Sequence, residues 1–233
     1  MLVADSIGKR YGARWVLHAA TLRLVPGQLR ALVGRNGAGK STLLRIAAGL
    51  LPADHGVVQC DGTALLRPRL PQLARRGLFL LPDHDLLSGS LTLAGHLALV
   101  AETFGVGQDP AVIDTLRLRD LLTRRPHQLS GGERRRAELA VAAVRRPRFL
   151  LADEPLRGIT PIDCDLLLRV FRDLAAKGCA VVVTGHEVGA LLEGVDHITW
   201  CTDGTTYELG RPDVAASHER FRQEYLGPGR VVA

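Results

Sequence analysis

Lysine is nearly absent from this chain: of 30 basic residues only Lys9, Lys40 and Lys177 are lysines, and the remaining 27 are arginines. No uncharged apolar stretch approaches the roughly 18 residues that would span a bilayer, and Asp5 interrupts the start before a long apolar region can form. The expectation is a chain neither secreted nor membrane-spanning. The four cysteines, Cys60, Cys164, Cys179 and Cys201, are far apart and form no CxxC pair. That spacing argues against a zinc site or a disulfide framework and for a reducing, cytosolic compartment. There is no internal repeat and no low-complexity segment.

What is present has the balance of an ordinary folded protein. Hydrophobic residues make up 46% and charged residues 23% of 233, enough for one compact unit with a substantial core. The net charge is +6, and the arginines are scattered, with short clusters at Arg75 and Arg76, Arg124 and Arg125, and Arg134 to Arg136. Scatter reads as a solvated surface rather than a nucleic-acid arm.

Four short apolar runs, 29–33, 78–81, 149–152 and 180–183, read as buried parallel strands, and helical patterns follow at 40–49, 132–144 and 162–176. Strand and helix in alternation predict an α/β fold with a mostly parallel sheet, with ligands gathering at the strand C-termini. Between about Ser90 and Gln128 the strand signal gives way to apolar residues at helical spacing, a small helical insert broken at Gly105 to Pro110. The tail carries two strands, 197–201 and 205–209, around a turn at Asp203 and Gly204, then a helix over 219–225. The last seven residues are expected to fray.

Gly34, Arg35, Asn36, Gly37, Ala38, Gly39, Lys40, Ser41 and Thr42 match the pattern GxxxxGK[ST], between a strand ending at Val33 and a helix opening at Gly39. Glycines let the backbone turn its N–H groups toward phosphate, the helix N-terminus adds positive potential, and Lys40 adds a full charge. Ser41 offers a hydroxyl to Mg²⁺. Asp153 and Glu154 end a buried strand where the sheet brings them to this loop. Asp153 suits Mg²⁺, and Glu154 suits orienting or deprotonating an attacking water. Leu129, Ser130, Gly131, Gly132 and Glu133 precede a helix and form a second anion-binding terminus; alone, the same pentapeptide is also what a capped helix start looks like.

In this order the motifs resemble those of the ATP-binding cassette ATPases, over nearly the whole chain. The resemblance implies a P-loop NTPase core with antiparallel β elements and an inserted helical subdomain, the core at 1–82 and 148–233 and the insert at about 83–147. It implies that Ser130, Gly131, Gly132 and Glu133 act in trans on ATP held by a second cassette. Tyr11 matches the aromatic that stacks on adenine, with Val16 packing nearby, and His186 matches the switch histidine at the γ-phosphate. The same resemblance implies separate transmembrane permease subunits as partners and a place on the cytoplasmic face of the membrane.

Two positions depart from the pattern. Asp83 stands where the family usually has glutamine; it keeps the ability to ligate metal but loses an amide donor. Thr160 stands where many relatives have aspartate, which weakens an expected contact across the dimer. With the Tyr225, Leu226, Gly227 tail, these look most like cassettes of branched-chain amino-acid uptake and lipopolysaccharide export. The reading is therefore an ATP-hydrolysing subunit of a transporter. The alternatives are a soluble cassette ATPase of nucleic-acid repair, translation or cofactor assembly, and a low-turnover regulatory subunit; nucleic acid is not expected as a partner.

Overall fold

The chain opens with two long antiparallel strands, β1 (Leu2–Tyr11) and β2 (Arg14–Leu24). The apolar runs of the sequence do not announce them. The β1–β2 register slips between Ala4 and Ile7, where Ser6 adopts φ 51°, so the period-2 alternation that marks a half-buried strand is broken in mid-strand. With β4 (His55–Cys60) and β5 (Thr63–Leu65), these strands form an antiparallel arm. The computed structural model describes residues 1–84, 86–107, 109–185, 189, 191 and 194–227.

The apolar runs do form the predicted parallel strands: β3 (Leu29–Val33), β6 (Leu78–Leu81), β7 (Phe149–Ala152) and β8 (Ala180–Gly185). Apart from Arg30 in β3, which pairs with Glu208, they read as hydrophobic runs because both faces are covered. Leu29, Ala31 and Val33 face one apolar cluster with Leu150, Ala152, Val181 and Val183, while Leu32 faces the other with Phe149, Leu151 and Val182. The tail strands β9 (His197–Thr202) and β10 (Thr205–Gly210) join the antiparallel arm to the parallel strands, β9 parallel to β3 and β10 touching β2 through Thr205 opposite Ala19. The ten strands run in the order β5-β4-β1-β2-β10-β9-β3-β8-β7-β6.

Helix α1 (Lys40–Ala47) lies between the antiparallel arm and the parallel strands, burying Leu43, Leu44 and Ile46. It stops earlier than the expected 40–49, because Gly49 turns the chain at φ 72°. After α2 (Leu70–Arg75) comes the helical insert. Its α3 (Leu93–Phe104) is capped by the Thr92 hydroxyl, which accepts from Gly95 N at 3.1 Å, and ends at Gly105 with φ 62°. Asp109 caps α4 (Pro110–Thr115), and α5 (Gly131–Val144) and α6 (Pro161–Ala176) match their predicted spans to within a residue. The tail adds α7 (Pro212–Ser217), which the sequence reading did not anticipate, and α8 (Glu219–Phe221). The helix expected over 219–225 is only this single turn, continued by a π-turn over Arg222–Leu226. Of the last seven residues, expected to fray, only Gly227 is described, its N–H donating to Arg222 O at 2.9 Å.

Buried arginine ties helix to sheet. At the end of α5 the Arg145 guanidinium donates to the carbonyls of Leu78 and Ala74 and lies 4.4 Å from the Phe104 ring centroid. Burial lowers its pKa. Replacing Arg145 by alanine strands two carbonyls, so Arg145→Ala should lower stability by about 2–4 kcal/mol. A fall in urea midpoint at unchanged slope would show this.

Candidate functional site

β3 ends at Val33 and the chain turns at once through Gly34, because β9 runs hard against it: a Cβ on Gly34 would sit 2.2 Å from the Cys201 carbonyl oxygen. Gly39 is constrained in the same way, at φ 102° with a Cβ position 2.6 Å from Leu17 Cδ2. The loop is therefore pressed between β2 and β9. The Cys201 thiol donates to Ala38 O at 3.1 Å, and burial pushes its pKa up to about 11, so it packs as a neutral group. On the outer side Arg35 Nη2 donates to Glu224 O at 2.8 Å and Tyr225 Oη lies 3.5 Å from Gly185 O, which clasps the tail over the loop. Burial moves the Tyr225 hydroxyl up to about 12.

Lys40 opens α1 and is 4% exposed. Its Nζ donates to Gly34 O at 2.7 Å and Arg35 O at 3.1 Å, curling the loop around the ammonium. Burial lowers its pKa, opposed by the nearby carboxylates of Glu154 and Asp153.

At the C-terminal ends of β7 and β8, Asp153 Oδ1 accepts from Ser41 Oγ at 3.0 Å and from Thr184 Oγ1 at 2.9 Å. The same Thr184 oxygen accepts from Glu154 N at 2.7 Å. One buried threonine thus fixes the side chain of Asp153 and the backbone of Glu154 together. Glu154 takes φ 45°, a left-handed conformation costing roughly 1–2 kcal/mol in a residue with a side chain. Two hydroxyls and one carboxylate in contact form a hard-oxygen donor set that fits Mg²⁺.

A second buried cation holds this strained turn from behind. Arg135 on α5, 6% exposed, donates to the carbonyls of Asp153, Glu154 and Pro155 at 3.2 Å each, and to Pro82 O at 2.6 Å. Glu138 balances its charge at 2.8 Å. Sequence reasoning missed both Thr184 and Arg135. Arg135 sits among three consecutive arginines that read as surface; its only sequence signal is a glutamate one helical turn on, at Glu138.

Two clefts flank the loop. One of about 310 Å³ is walled by Arg14, Val16, Lys40, Ser41, Thr42 and Glu154, and one of about 490 Å³ by Arg14, Trp15, Val16, Arg35, Trp200 and Tyr225 among others. Asn36 and Gly37 wall both. The predicted loop residues, Val16 and Glu154 are brought together. Tyr11 ends β1 with its ring under the Lys9 ammonium and 49% of its surface exposed, and walls neither cleft; Trp15 walls the larger one. Asp83 walls neither cleft and pairs with His84 Nδ1 at 2.7 Å. His186 lies outside the described residues.

Ser130 caps α5 reciprocally with Glu133: Glu133 N donates to Ser130 Oγ at 3.3 Å, and Ser130 N donates to the Glu133 carboxylate at 2.8 Å, which lowers the Glu133 pKa. Ser130 and Gly131 are exposed, and no residue from 130 to 133 walls either cleft. Gly132 packs against Asp163, whose Oδ2 would lie 2.4 Å from a Cβ there. Asp163 accepts from the Thr160 hydroxyl at 2.9 Å and lies 3.0 Å from Arg136 Nε, an ion-pair contact without hydrogen-bond alignment. Thr160 thus serves as the cap of α6 and, through Asp163, reaches the serine-glycine turn within one chain.

The chain matches the ABC transporter family over residues 17–157. It is 34% identical over 97% of its length to the lipopolysaccharide export system ATP-binding protein LptB of Acidithiobacillus ferridurans, and covers 97% of that protein. Among solved structures, the ATP-binding subunit of an ABC transporter superposes with a TM-score of 0.79 at 27% identity, covering 90% of each chain. A nucleotide-free ATP-binding cassette superposes at 0.84 over 98% of this chain and 99% of its own; at 22% identity it speaks for the fold alone.

Removing Arg135 frees the Asp153–Pro155 turn and leaves Glu138 buried without its counter-charge. Arg135→Ala should cost about 3–5 kcal/mol. Arg135→Ala,Glu138→Leu should recover much of that stability in thermal or urea unfolding, because the unpaired charge is gone.

Proposed function

Because this chain belongs to the ABC transporter family, we propose that Lys40, Ser41, Asp153, Glu154 and Thr184 form its ATP-hydrolysing centre and that the chain energises transport through separate membrane-spanning subunits. It is an ATP-binding ATPase subunit. The observation that carries the site assignment is the junction at Thr184, which locks the Asp153 carboxylate against Ser41 and sets the Glu154 backbone at the mouth of the phosphate-loop cleft.

In this reading Lys40 exchanges its two loop carbonyls for β- and γ-phosphate oxygens, and the loop N–H groups meet the rest of the phosphate charge. Ser41 and Asp153 hold Mg²⁺, which supplies charge neutralisation and orientation of the phosphates. Glu154 orients the water whose oxygen bonds to the γ-phosphorus as the bond to the bridging oxygen breaks, and accepts its proton. Arg14 and Val16 meet the nucleotide beyond the phosphates, and the aromatic faces of Tyr11 and Trp15 are the candidates for the base. His186 is the candidate for the γ-phosphate, and Asp83 for a further metal contact.

The cap at Ser130 and Gly131, exposed and away from the clefts of its own chain, with Gly132 packed on Asp163 beside it, suits phosphate held by a second copy. We therefore place ATP between two cassettes, with the segment of about 83–147 as a subdomain that docks the permease at the cytoplasmic face of the membrane. The LptB relative is the ATP-binding protein of an export system, and its likeness along nearly all of the chain supports this arrangement.

Glu154→Gln should lower ATP turnover at least about a hundredfold while leaving ATP binding intact, and Lys40→Ala should abolish binding; equal turnover in Glu154→Gln and the parent would remove Glu154 from the mechanism. Specific activity should fall on dilution as cassettes separate. Ser130→Arg should abolish turnover while an isolated chain still binds ATP, and dilution-independent turnover would overturn the shared site.

A further inference from the structure

α1 runs from the phosphate loop to Ala47, and a different surface gathers at its far end. Arg45 lies in its last turn, and Leu50 follows, 48% exposed. The loop before α2 is pinned there: Leu70 N donates to Gly49 O at 3.1 Å, and a Cβ on Gly49 would lie 2.8 Å from Pro68 O. That loop carries Leu66, 95% exposed, with Arg67 and Arg69, and α2 delivers Arg75 and Arg76.

No acidic residue occurs between Asp61 and Asp83. Asp61 is already engaged by the N-terminal ammonium and Arg148, and Asp54 by Lys9. Among the described residues none of Arg45, Arg67, Arg69, Arg75 and Arg76 pairs with a carboxylate, and all five are exposed. Some exposed arginines elsewhere have such partners, Arg119 with Asp114, Arg211 with Asp213, and Arg220 with Asp203 and Glu224. What marks this corner is four arginines, Arg67, Arg69, Arg75 and Arg76, in a stretch without an acidic residue, beside a leucine in open solvent.

We propose that this corner contacts an anionic lipid membrane directly. Guanidinium groups pair with lipid phosphates through two N–H bonds, and Leu66 enters the apolar boundary beneath them. A bilayer offers a sheet of negative charge above an apolar layer and so accepts both chemistries at once. Each basic residue near such a surface strengthens partitioning roughly fivefold at low salt. Covering the nucleotide clefts at the other end of α1 leaves this surface open. The surface is therefore independent of the hydrolytic site and acts on where the chain resides.

The test is sedimentation of the purified full chain, with no other protein, on phosphatidylcholine vesicles with and without about one-third phosphatidylglycerol. Retention should occur on the anionic vesicles alone and disappear at about 0.5 M salt, where charge is screened within a few ångströms. Arg67→Glu,Arg69→Glu should weaken partitioning by about tenfold or more, and Leu66→Ser should weaken it by about threefold at unchanged charge. ATP turnover of both variants should equal the parent's. No retention on anionic vesicles, equal retention on neutral ones, or indifference to these variants would overturn the proposal. So would displacement by poly-glutamate at charge-equivalent concentration, which would assign the surface to an acidic protein.

Discussion

The site depends on one hydroxyl. Thr184 donates to Asp153 and accepts from the backbone of Glu154, so the ends of β7 and β8 are joined at two adjacent carboxylates. Without it, the left-handed backbone of Glu154 would have only the carbonyl side held. With it, the turn is fixed from both sides, Thr184 on the N–H and Arg135 on the carbonyls. Strain at this residue is sustained because its neighbours hold the turn from both sides.

Arginine does structural work here that lysine does less well. A planar guanidinium presents five donors in fixed directions, enough for one side chain to satisfy several carbonyls at a loop. Arg135 serves four carbonyls and Glu138, Arg145 serves two, and Arg30 bridges Gln28 and Glu208. Lys40 is the contrast, a compact ammonium in a turn that supplies only two carbonyls and can release them.

The parallel strands and the long helices were legible because burial on two faces produces unbroken apolar runs, and one-sided burial produces helical periodicity. β1 and β2 were not, because the bulge at Ser6 throws the alternation out of phase. The glycine loop after β3 could be read because Gly34, Gly37 and Gly39 fall close together between a strand and a helix, and each takes a positive φ. Thr184 and Arg135 could not: their partners lie 30 and about 20 positions away, and the one local sign, Glu138 a turn beyond Arg135, does not tell a buried pair from a surface one. The meaning of Thr160 changed for the same reason. As a departure from a pattern it reads as a lost contact across a dimer; within the chain it also caps α6 and holds Asp163 beside Gly132.

The two tryptophans of the chain, Trp15 and Trp200, both wall the larger cleft beside the phosphate loop. Trp15 is partly open and stacked beside His18 and His55, whereas Trp200 is buried against Phe221 and Tyr207. The tryptophan fluorescence of this protein is consequently a local signal: all of its indole emission originates beside the loop, one emitter in a wet setting and one in a dry setting, with no distant indole to dilute either.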